Sequence, residues 1–130
     1  MAELKPGLFA EFTHTVTEPD TAAHWGSGGI DVYSTPAMVG LMESTAYLAV
    51  NAHLPPGETT VGGEIRLRHL KATPLGMQVR ARAELTAVDG RKLFFEIQAW
   101  DEVELIGEAE HVRFVIDQEK FMSKVRSKGK

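Results

Sequence analysis

The sequence predicts an α+β fold in which an antiparallel sheet of about five strands wraps round one long helix. Two observations indicate this fold. An apolar run over residues 37–52 has the length of a helix, but it has too many apolar residues for a helix with one solvated side. Several runs of β-forming residues, separated by turn signals, surround it in the sequence. A curved sheet would cover such a helix on all its sides.

Length and composition limit the class of protein. The chain has 130 residues, enough for a single domain over residues 1–130 with one hydrophobic core. Its net charge of −4 argues against a general nucleic-acid binder, which needs a basic face. Because the sequence has no cysteine, thiol nucleophiles, disulfides and thiolate metal sites are excluded. This composition fits a reducing compartment, and we expect a cytoplasmic protein.

Neither a signal peptide nor a membrane span is expected. The N-terminus lacks the basic start and the apolar run of a signal peptide. Residues 36–54 are nearly numerous enough to cross a bilayer, but they include Glu43, Asn51 and His53. A carboxylate in the middle of a lone span would be costly, so a core helix is the better interpretation.

The first part of the chain predicts a strand, a loop and the start of the helix. Residues 8–18 contain β-formers in imperfect alternation. Residues 18–33 are rich in Gly, Pro, Asp and Ser, which predicts a mobile loop; its Trp25 and Tyr33 are large enough to cover a pocket. The segment from Ser34 to Pro36 suits a helix start, because Ser and Thr cap free N–H groups and Pro lacks one.

Four further strands and a short helix are predicted after the long helix. Clear alternation and turn signals, including Asp89-Gly90 for a hairpin, delimit them. The strands are predicted at residues 59–73, 77–88, 91–101 and 104–116, and an amphipathic helix at residues 118–126. One strand, a long helix and four strands, in this order, make the layout of the hotdog fold. Its sheet leaves exposed edges that a second protomer would cover, so we expect at least a homodimer.

Glu43 is the first candidate for chemistry. It is the only acidic or strongly basic residue between Val32 and Gly57. A solvated helix face normally carries several charges, so one carboxylate in an apolar helix points to a function. The alternative interpretation is a glutamate at an exposed notch of the helix or at a subunit contact.

His69 is the second candidate. Ile65, Leu67 and His69 share one face of the predicted strand, while arginines occupy the other face. His69 is therefore expected to point toward the helix. A lone inward histidine is more often a satisfied core residue than a catalyst. With Glu43 across the gap between helix and sheet, however, a carboxylate could fix the imidazole tautomer and raise its basicity.

Four other residues are candidates for contacts with a substrate. Thr35 lies two turns before Glu43, at a helix start whose N–H groups favour negative charge, although a plain N-cap is the simpler interpretation. Gly62 and Gly63 interrupt a strand, which often marks a bulge or a close approach of backbone to ligand. Arg113 lies among apolar residues of a late strand, either as an edge charge or as a buried partner for a carboxylate.

Signals for other kinds of site are weak. The five histidines show no HxH or HxxxH spacing, so a metal site has little support. Neither a phosphate-binding loop of the Walker type nor a GxSxG nucleophile elbow occurs.

Taken together, the motifs resemble the fluoroacetyl-CoA thioesterase-like family of hotdog proteins. The resemblance continues into the tail at residues 119–126, and it is carried by Thr35-Pro-Ala-Met-Val-Gly-Leu-Met-Glu43, by Gly62 seven residues before His69, and by His111-Val-Arg113. It implies a homodimer with active sites near the subunit interface. It also implies hydrolysis of an acyl-CoA to a free acid and CoA, with no metal or redox cofactor.

The resemblance puts the family's catalytic trio on Thr35, Glu43 and His69, its glycine near the thioester on Gly62, and its arginine on Arg113. His69 would act as a general base on water or as an acid to the leaving thiolate. Glu43 would orient His69 and the water, or would attack the thioester itself to give an anhydride. Thr35 and the backbone N–H of Gly62 would hydrogen-bond where oxyanion charge develops.

One departure from the family affects the expected substrate. The fluoroacetyl-CoA enzyme has two phenylalanines in the loop before its threonine, and they are linked to its selectivity. The corresponding positions here are Gly26 and Gly29. A general short-chain or aryl acyl-CoA is therefore the expected substrate. Two alternatives stay open: a non-catalytic hotdog protein that binds acyl-CoA or another small ligand, and an enoyl-CoA hydratase.

Overall fold

The structure is a computed structural model that describes residues 3–129. Its regular elements, in chain order, are β1 (Phe9–Thr15), α1 (Ala22–Trp25), α2 (Thr35–Asn51), β2 (Glu58–His69), β3 (Gln78–Asp89), β4 (Lys92–Trp100), β5 (Leu105–Asp117) and α3 (Gln118–Ser127). A single 3-10 turn at Glu18–Asp20 precedes α1.

The five strands form one antiparallel sheet in the order β1-β3-β4-β5-β2. β1 and β2 are therefore its two edges. The long helix α2 packs on one face of this sheet. The hotdog arrangement predicted from the sequence, with about five strands and one long helix, is confirmed.

The core lies between α2 and the inner face of the two central strands. Alternate side chains of β3 and β4 point toward the helix, and eight of them are buried: Val79, Ala81, Ala83, Leu85, Leu93, Phe95, Ile97 and Ala99. On α2, four buried side chains at helical spacing pack against them: Met38, Met42, Ala46 and Val50. Side chains on one face recur every two residues in a strand and about every four in a helix, so each element presents one apolar surface to the other.

One expectation about α2 is wrong in a way that matters for the site. The helix is not covered on all its sides, because the sheet curves over only one of them. Tyr47 is 36% exposed and Leu48 is 46% exposed, and Gly40 and Ser44 lie on the same open side. The excess apolar character of α2 therefore reflects a bare face rather than complete burial.

The segment between β1 and α2 has more structure than a mobile loop. β1 ends at Thr15, and the side chain of Asp20 stabilises the turn that follows through hydrogen bonds. Its carboxylate accepts hydrogen bonds from the backbone N–H of Thr17 at 2.7 Å and from Nε2 of His14 at 2.8 Å. Burial opposes the charge on Asp20, but these hydrogen bonds outweigh it and lower the pKa of the carboxyl.

Two element ends also differ from the prediction. β2 stops at His69, four residues before the predicted end. The β3–β4 hairpin turns at Gly90 and Arg91, flanked by the pair Asp89 and Lys92, so it lies one residue later than expected. Gly90 has φ +61°, which only glycine adopts readily at the first position of such a turn.

None of the helices in residues 3–129 combines the length and the apolar character needed to cross a membrane.

Candidate active site

At the start of α2, two neighbouring residues have different roles: one caps the helix, and the other is available for a contact at the site. The hydroxyl oxygen of Ser34 accepts a hydrogen bond from the backbone N–H of Ala37 at 3.1 Å, so Ser34 is the N-cap. Thr35 is the first residue of the helix, and Pro36 follows it in the first turn. The interpretation of Thr35 as a plain cap is therefore wrong, and its side chain is available for another partner.

That partner is His69, at the end of β2. The Thr35 hydroxyl oxygen lies 2.8 Å from Nδ1 of His69. The other ring nitrogen, Nε2, is buried and has no hydrogen-bond partner within residues 3–129. Burial lowers the pKa of the His69 imidazole, against a smaller opposing contribution from the Lys71 backbone. The imidazole is therefore neutral at neutral pH, and its Nε2 is left without a partner within residues 3–129.

Glu43 lies on α2, eight residues after Thr35, and its carboxylate lies against Gly62 of β2. A Cβ atom built on Gly62 would be 3.0 Å from Oε2 of Glu43, so any larger residue would press on the carboxylate. Among the described residues, the Glu43 carboxylate accepts no hydrogen bond and forms no ion pair. A half-buried carboxylate with unused lone pairs suits a ligand that brings its own donor.

Arg113 is a buried side chain and not an edge charge: it is only 7% exposed. Its Nε donates to the Thr60 hydroxyl at 2.8 Å, and its Nη2 donates to the Thr60 carbonyl at 3.0 Å. Burial lowers the pKa of the guanidinium, while the nearby charge of Glu43 opposes that shift. Arg113 therefore supplies a fixed positive charge beside Glu43 without bonding to it directly.

His111 also belongs to this cluster, although the sequence marked it only as part of the motif His111-Val-Arg113. It is 1% exposed, and its Nε2 lies 3.2 Å from Nη1 of Arg113. A Cβ on Gly62 would also lie 3.4 Å from its ring. The available signal was its spacing, because residues 111 and 113 share the inner face of one strand.

Gly63 serves a different contact from Gly62. The strand register shifts between Gly62 and Glu64, so Gly63 sits in a β-bulge. A Cβ there would overlap the ring of Phe114, which lies on the outer face of the sheet. The structure therefore places Gly63 under Phe114 and away from Glu43.

The candidate site residues form two groups in one chain. One is the Thr35–His69 pair; the other is the Glu43 cluster, which we define as Glu43, Gly62, His111 and Arg113. Eight helical residues put Thr35 and Glu43 about 12 Å apart along the axis of α2. No hydrogen bond or ion pair joins the two groups within the described part of the chain. The expected meeting of His69 with Glu43 does not occur inside one protomer.

The Glu43 cluster opens on the bare side of α2. Glu43, Gly62 and Arg113 line a shallow groove of about 370 Å³ together with Phe12, Ser44, Tyr47 and Leu48. A larger concavity of about 690 Å³ lies on the outer face of the sheet, among paired arginines and glutamates, and includes none of the candidate site residues. Residues 3–129 contain no group of three or more potential metal ligands.

Comparisons with known proteins agree with this fold. Residues 16–119 match the model of the family described as fluoroacetyl-CoA-specific thioesterase. The fluoroacetyl-CoA thioesterase of Streptantibioticus cattleyicolor is 45% identical over 98 residues, which are 75% of this chain and 70% of that protein.

Solved structures give the same relationship. A variant of the fluoroacetyl-CoA-specific thioesterase superposes with a TM-score of 0.91 at 36% identity, covering 98% of this chain and 99% of that one. A thioesterase superfamily member from Thermus thermophilus gives a TM-score of 0.90 at 27% identity, covering 98% and 94%. With the matched model covering most of its length, the chain belongs to the fluoroacetyl-CoA-specific thioesterase family.

Proposed function

We propose that this thioester hydrolase cleaves CoA thioesters of short-chain or small aryl acids, giving the free acid and CoA. The observation that carries the proposal is the Glu43 carboxylate, which lies against Gly62 with no partner of its own. The relatives support the reaction class, because the curated relative is a fluoroacetyl-CoA thioesterase and a variant of the solved enzyme binds acetyl-CoA.

In the proposed reaction, His69 is the base. With Nδ1–H donating to the Thr35 oxygen, the free Nε2 lone pair takes a proton from water as the water oxygen bonds to the thioester carbonyl carbon. The carbon–sulfur bond then breaks, and the imidazolium returns the proton to the CoA thiolate. Glu43 orients the water and stabilises the imidazolium while it is charged.

The charge on the carbonyl oxygen also needs donors. Because Thr35 accepts from His69, its own O–H remains free to donate to the developing oxyanion. The backbone N–H of Gly62 is the second proposed donor, at a place where the missing side chain allows close approach. Arg113 contributes a buried positive charge beside Glu43.

This scheme requires both groups of residues at one place, and a dimer supplies that. β2 is an edge strand of 12 residues, so one side of its backbone is free to pair. A two-fold axis at Arg66 would pair β2 with its copy in antiparallel fashion, with the bulged Gly63 left unpaired. Gly62 would then lie opposite His69 of the partner subunit.

Each active site of the proposed homodimer is therefore composite. The Glu43 cluster of one protomer meets the Thr35–His69 pair of the other. The unpartnered Nε2 of His69 supports this arrangement, because it needs a partner that residues 3–129 of the same chain do not supply. The bare face of α2, with Tyr47 and Leu48, would be partly covered in the same contact.

Turnover of an acyl-CoA panel tests the reaction. We expect thiol release from acetyl-CoA, longer short-chain esters or phenylacetyl-CoA, detected with a thiol reagent. Saturable binding without turnover would instead make the chain an acyl-CoA binding protein. Loss of the conjugated absorbance of crotonyl-CoA without thiol release would make it a hydratase.

Mixing inactive chains tests the composite site. A Glu43→Gln chain and a His69→Ala chain should each be inactive alone, but a mixed dimer should keep one intact site. Random mixing should restore about a quarter of wild-type activity. As a matched control, Thr35→Val and His69→Ala damage the same group, and their mixture should restore nothing. No restoration in mixed dimers verified by native mass spectrometry would overturn the composite site.

The loop before Thr35 bears on the acyl group. Gly26 and Gly29 each have open space where a Cβ would be, so this segment presents no large side chain at either position. Selectivity for fluoroacetyl-CoA is therefore not part of the proposal. We expect similar kcat/KM for fluoroacetyl-CoA and acetyl-CoA; a strong preference for the fluorinated ester would contradict this.

We also propose that the enzyme is cytoplasmic and that it needs no metal or redox cofactor. Cell fractionation tests the location. Full activity after extensive chelator treatment is expected, because water is the only co-reactant that the proposed reaction uses.

A further inference from the structure

His111 is buried at the centre of the Glu43 cluster, and the proposed reaction gives it no role. Four elements surround it. The ring of Phe95 packs from β4, with ring centroids 6.0 Å apart, and Arg113 follows on its own strand. Glu43 from α2 and the backbone of β2 at Glu64 complete its surroundings.

The hydrogen bonds of His111 determine its tautomer. Nδ1 lies 2.7 Å from the carbonyl oxygen of Glu64, which can only accept, so Nδ1 carries the proton. Nε2 lies 3.2 Å from Nη1 of Arg113, which can only donate, so Nε2 presents its lone pair. The two contacts are satisfied together only by a neutral imidazole with the proton on Nδ1.

These two bonds fix different parts of the site. The bond to Glu64 holds β2 directly after the bulge, which begins at Gly62. The bond to Nη1 is the third of the three that hold Arg113, beside the two to Thr60. One imidazole thus sets both the backbone and the positive charge that border Glu43.

Protonation of His111 would undo this arrangement. Nε2 would gain an N–H that points at a guanidinium, so an acceptor would be lost and two positive charges would face each other. Burial and the charge of Arg113 favour the neutral form, while the Glu64 carbonyl and the charge of Glu43 favour the protonated form. The balance lowers the pKa of His111, so the arrangement holds at neutral pH and fails in acid.

We propose that His111 is a positioning residue of the thioesterase site: its neutral imidazole ties Arg113 to the Gly62 bulge, and its protonation breaks the bond to Arg113 and frees the guanidinium from its place beside Glu43. This inference rests on the proposed function for its effect on turnover. The arrangement itself belongs to the folded chain and is measurable without any substrate.

The first experiment is a side-chain ¹⁵N NMR titration of the wild-type protein, with His111→Gln used to assign the resonances. We expect the tautomer with the proton on Nδ1 at pH 7.5. On acidification, the Nε–H resonance of Arg113 should shift with the same midpoint as His111. The opposite tautomer, or an Arg113 signal that ignores the titration, would overturn the proposal.

The second experiment compares variants in acetyl-CoA hydrolysis. Gln keeps a donor and an acceptor but does not titrate, so His111→Gln should stay within about threefold of wild type at pH 7.5. It should also show an acid limb shallower by one proton. Phe keeps the ring volume but neither bond, so His111→Phe should lower kcat/KM by more than about tenfold. His14→Gln, on the opposite edge strand, is the control with an unchanged pH profile.

The outcomes separate the two claims. A His111→Gln enzyme with the wild-type acid limb would make His111 merely structural and overturn the inference. If wild-type protein cleaves no acyl-CoA, the proposed function fails, and the NMR titration still decides whether His111 controls Arg113. If His111→Phe does not fold, the comparison of wild type with His111→Gln remains sufficient.

Discussion

The hydroxyl oxygen of Thr35 and Nδ1 of His69 lie 2.8 Å apart, although 34 positions separate the two residues in the chain. The contact exists because Ser34 caps α2 and relieves Thr35 of that role. It joins the first turn of the helix to the last residue of β2. Both residues therefore owe their positions to the ends of regular elements.

Replacing Thr35 with Val should remove this bond while keeping the side-chain shape. We expect kcat/KM to fall roughly tenfold or more, because His69 loses its fixed tautomer and the oxyanion loses a donor. Thr35→Ser keeps the hydroxyl and should retain most activity. Steady-state thiol release measures both variants; a loss in Ser with activity retained in Val would show that the methyl group, and not the hydrogen bond, is what matters.

Glu43→Gln should remove the charge without changing the size of the side chain. We expect kcat to fall about 100-fold or more, with only a small fall in melting temperature, since among the described residues Glu43 has no hydrogen bond to lose and only its charge beside Arg113 is removed. Single-turnover thiol release measures the chemical step. Retention of near wild-type kcat would remove Glu43 from the mechanism. An acyl adduct on Glu43, found by mass spectrometry of acid-quenched enzyme, would replace the water route with the anhydride route.

The two adjacent glycines of β2 should respond differently to alanine. In Gly62→Ala the new Cβ would lie 3.0 Å from Oε2 of Glu43, so a flexible carboxylate moves and activity falls while the fold persists. In Gly63→Ala the new Cβ would overlap the ring of Phe114, so stability should fall first. Melting temperature and kcat/KM, measured on both, give the contrast. A Gly62→Ala enzyme with full activity would refute the close approach.

Stability should decline on mild acidification. Burial lowers the folded-state pKa of His69 and of His111 below the unfolded value of 6.5. Groups of this kind contribute full stability above the unfolded pKa and lose it as the pH falls through the folded pKa. We therefore expect the free energy of unfolding in urea to be level above about pH 7 and to fall below about pH 6.5. His111→Gln should flatten part of this decline, and a rise in stability on acidification would contradict it.

A second loss of stability should follow at lower pH. The carboxyls of Asp20 and Asp101 have folded-state pKa values below the usual aspartate value of 3.8, because hydrogen bonds outweigh burial at both. Their contribution is present above that value and is lost as the pH falls through the lower folded pKa. The same urea series, extended to pH 2.5, should show this second step.

The fold could be predicted because its strands are regular. Alternation over residues 77–88 located β3 almost to the residue, and one uninterrupted apolar run located α2. The segment from Glu18 to Tyr33 was harder. Its short helical pieces depend on side-chain bonds such as that between His14 and Asp20, which composition alone does not reveal.

The candidate site was predicted as a set of residues but not as an arrangement. Nothing in a one-dimensional pattern shows that Thr35 with His69 and Glu43 with Gly62 occupy separate places on one chain. The role of His111 was not predicted for a related reason. A single histidine in a strand has no distinctive pattern until its neighbour Arg113 is known to be buried with it.

The bulge at Gly63 has a consequence for the phase of β2. Residues 62 and 69 are seven positions apart, and in a regular strand an odd separation puts two side chains on opposite faces. Yet the side-chain position of Gly62 faces Glu43, and His69 faces Thr35, both on the helix side. The extra residue in the bulge reverses the alternation once, so the side-chain positions of Gly62 and His69 face the same side of the sheet. Straightening the bulge without removing a residue would keep every candidate catalytic side chain in the sequence, and would turn one end of the strand to the wrong side of the sheet.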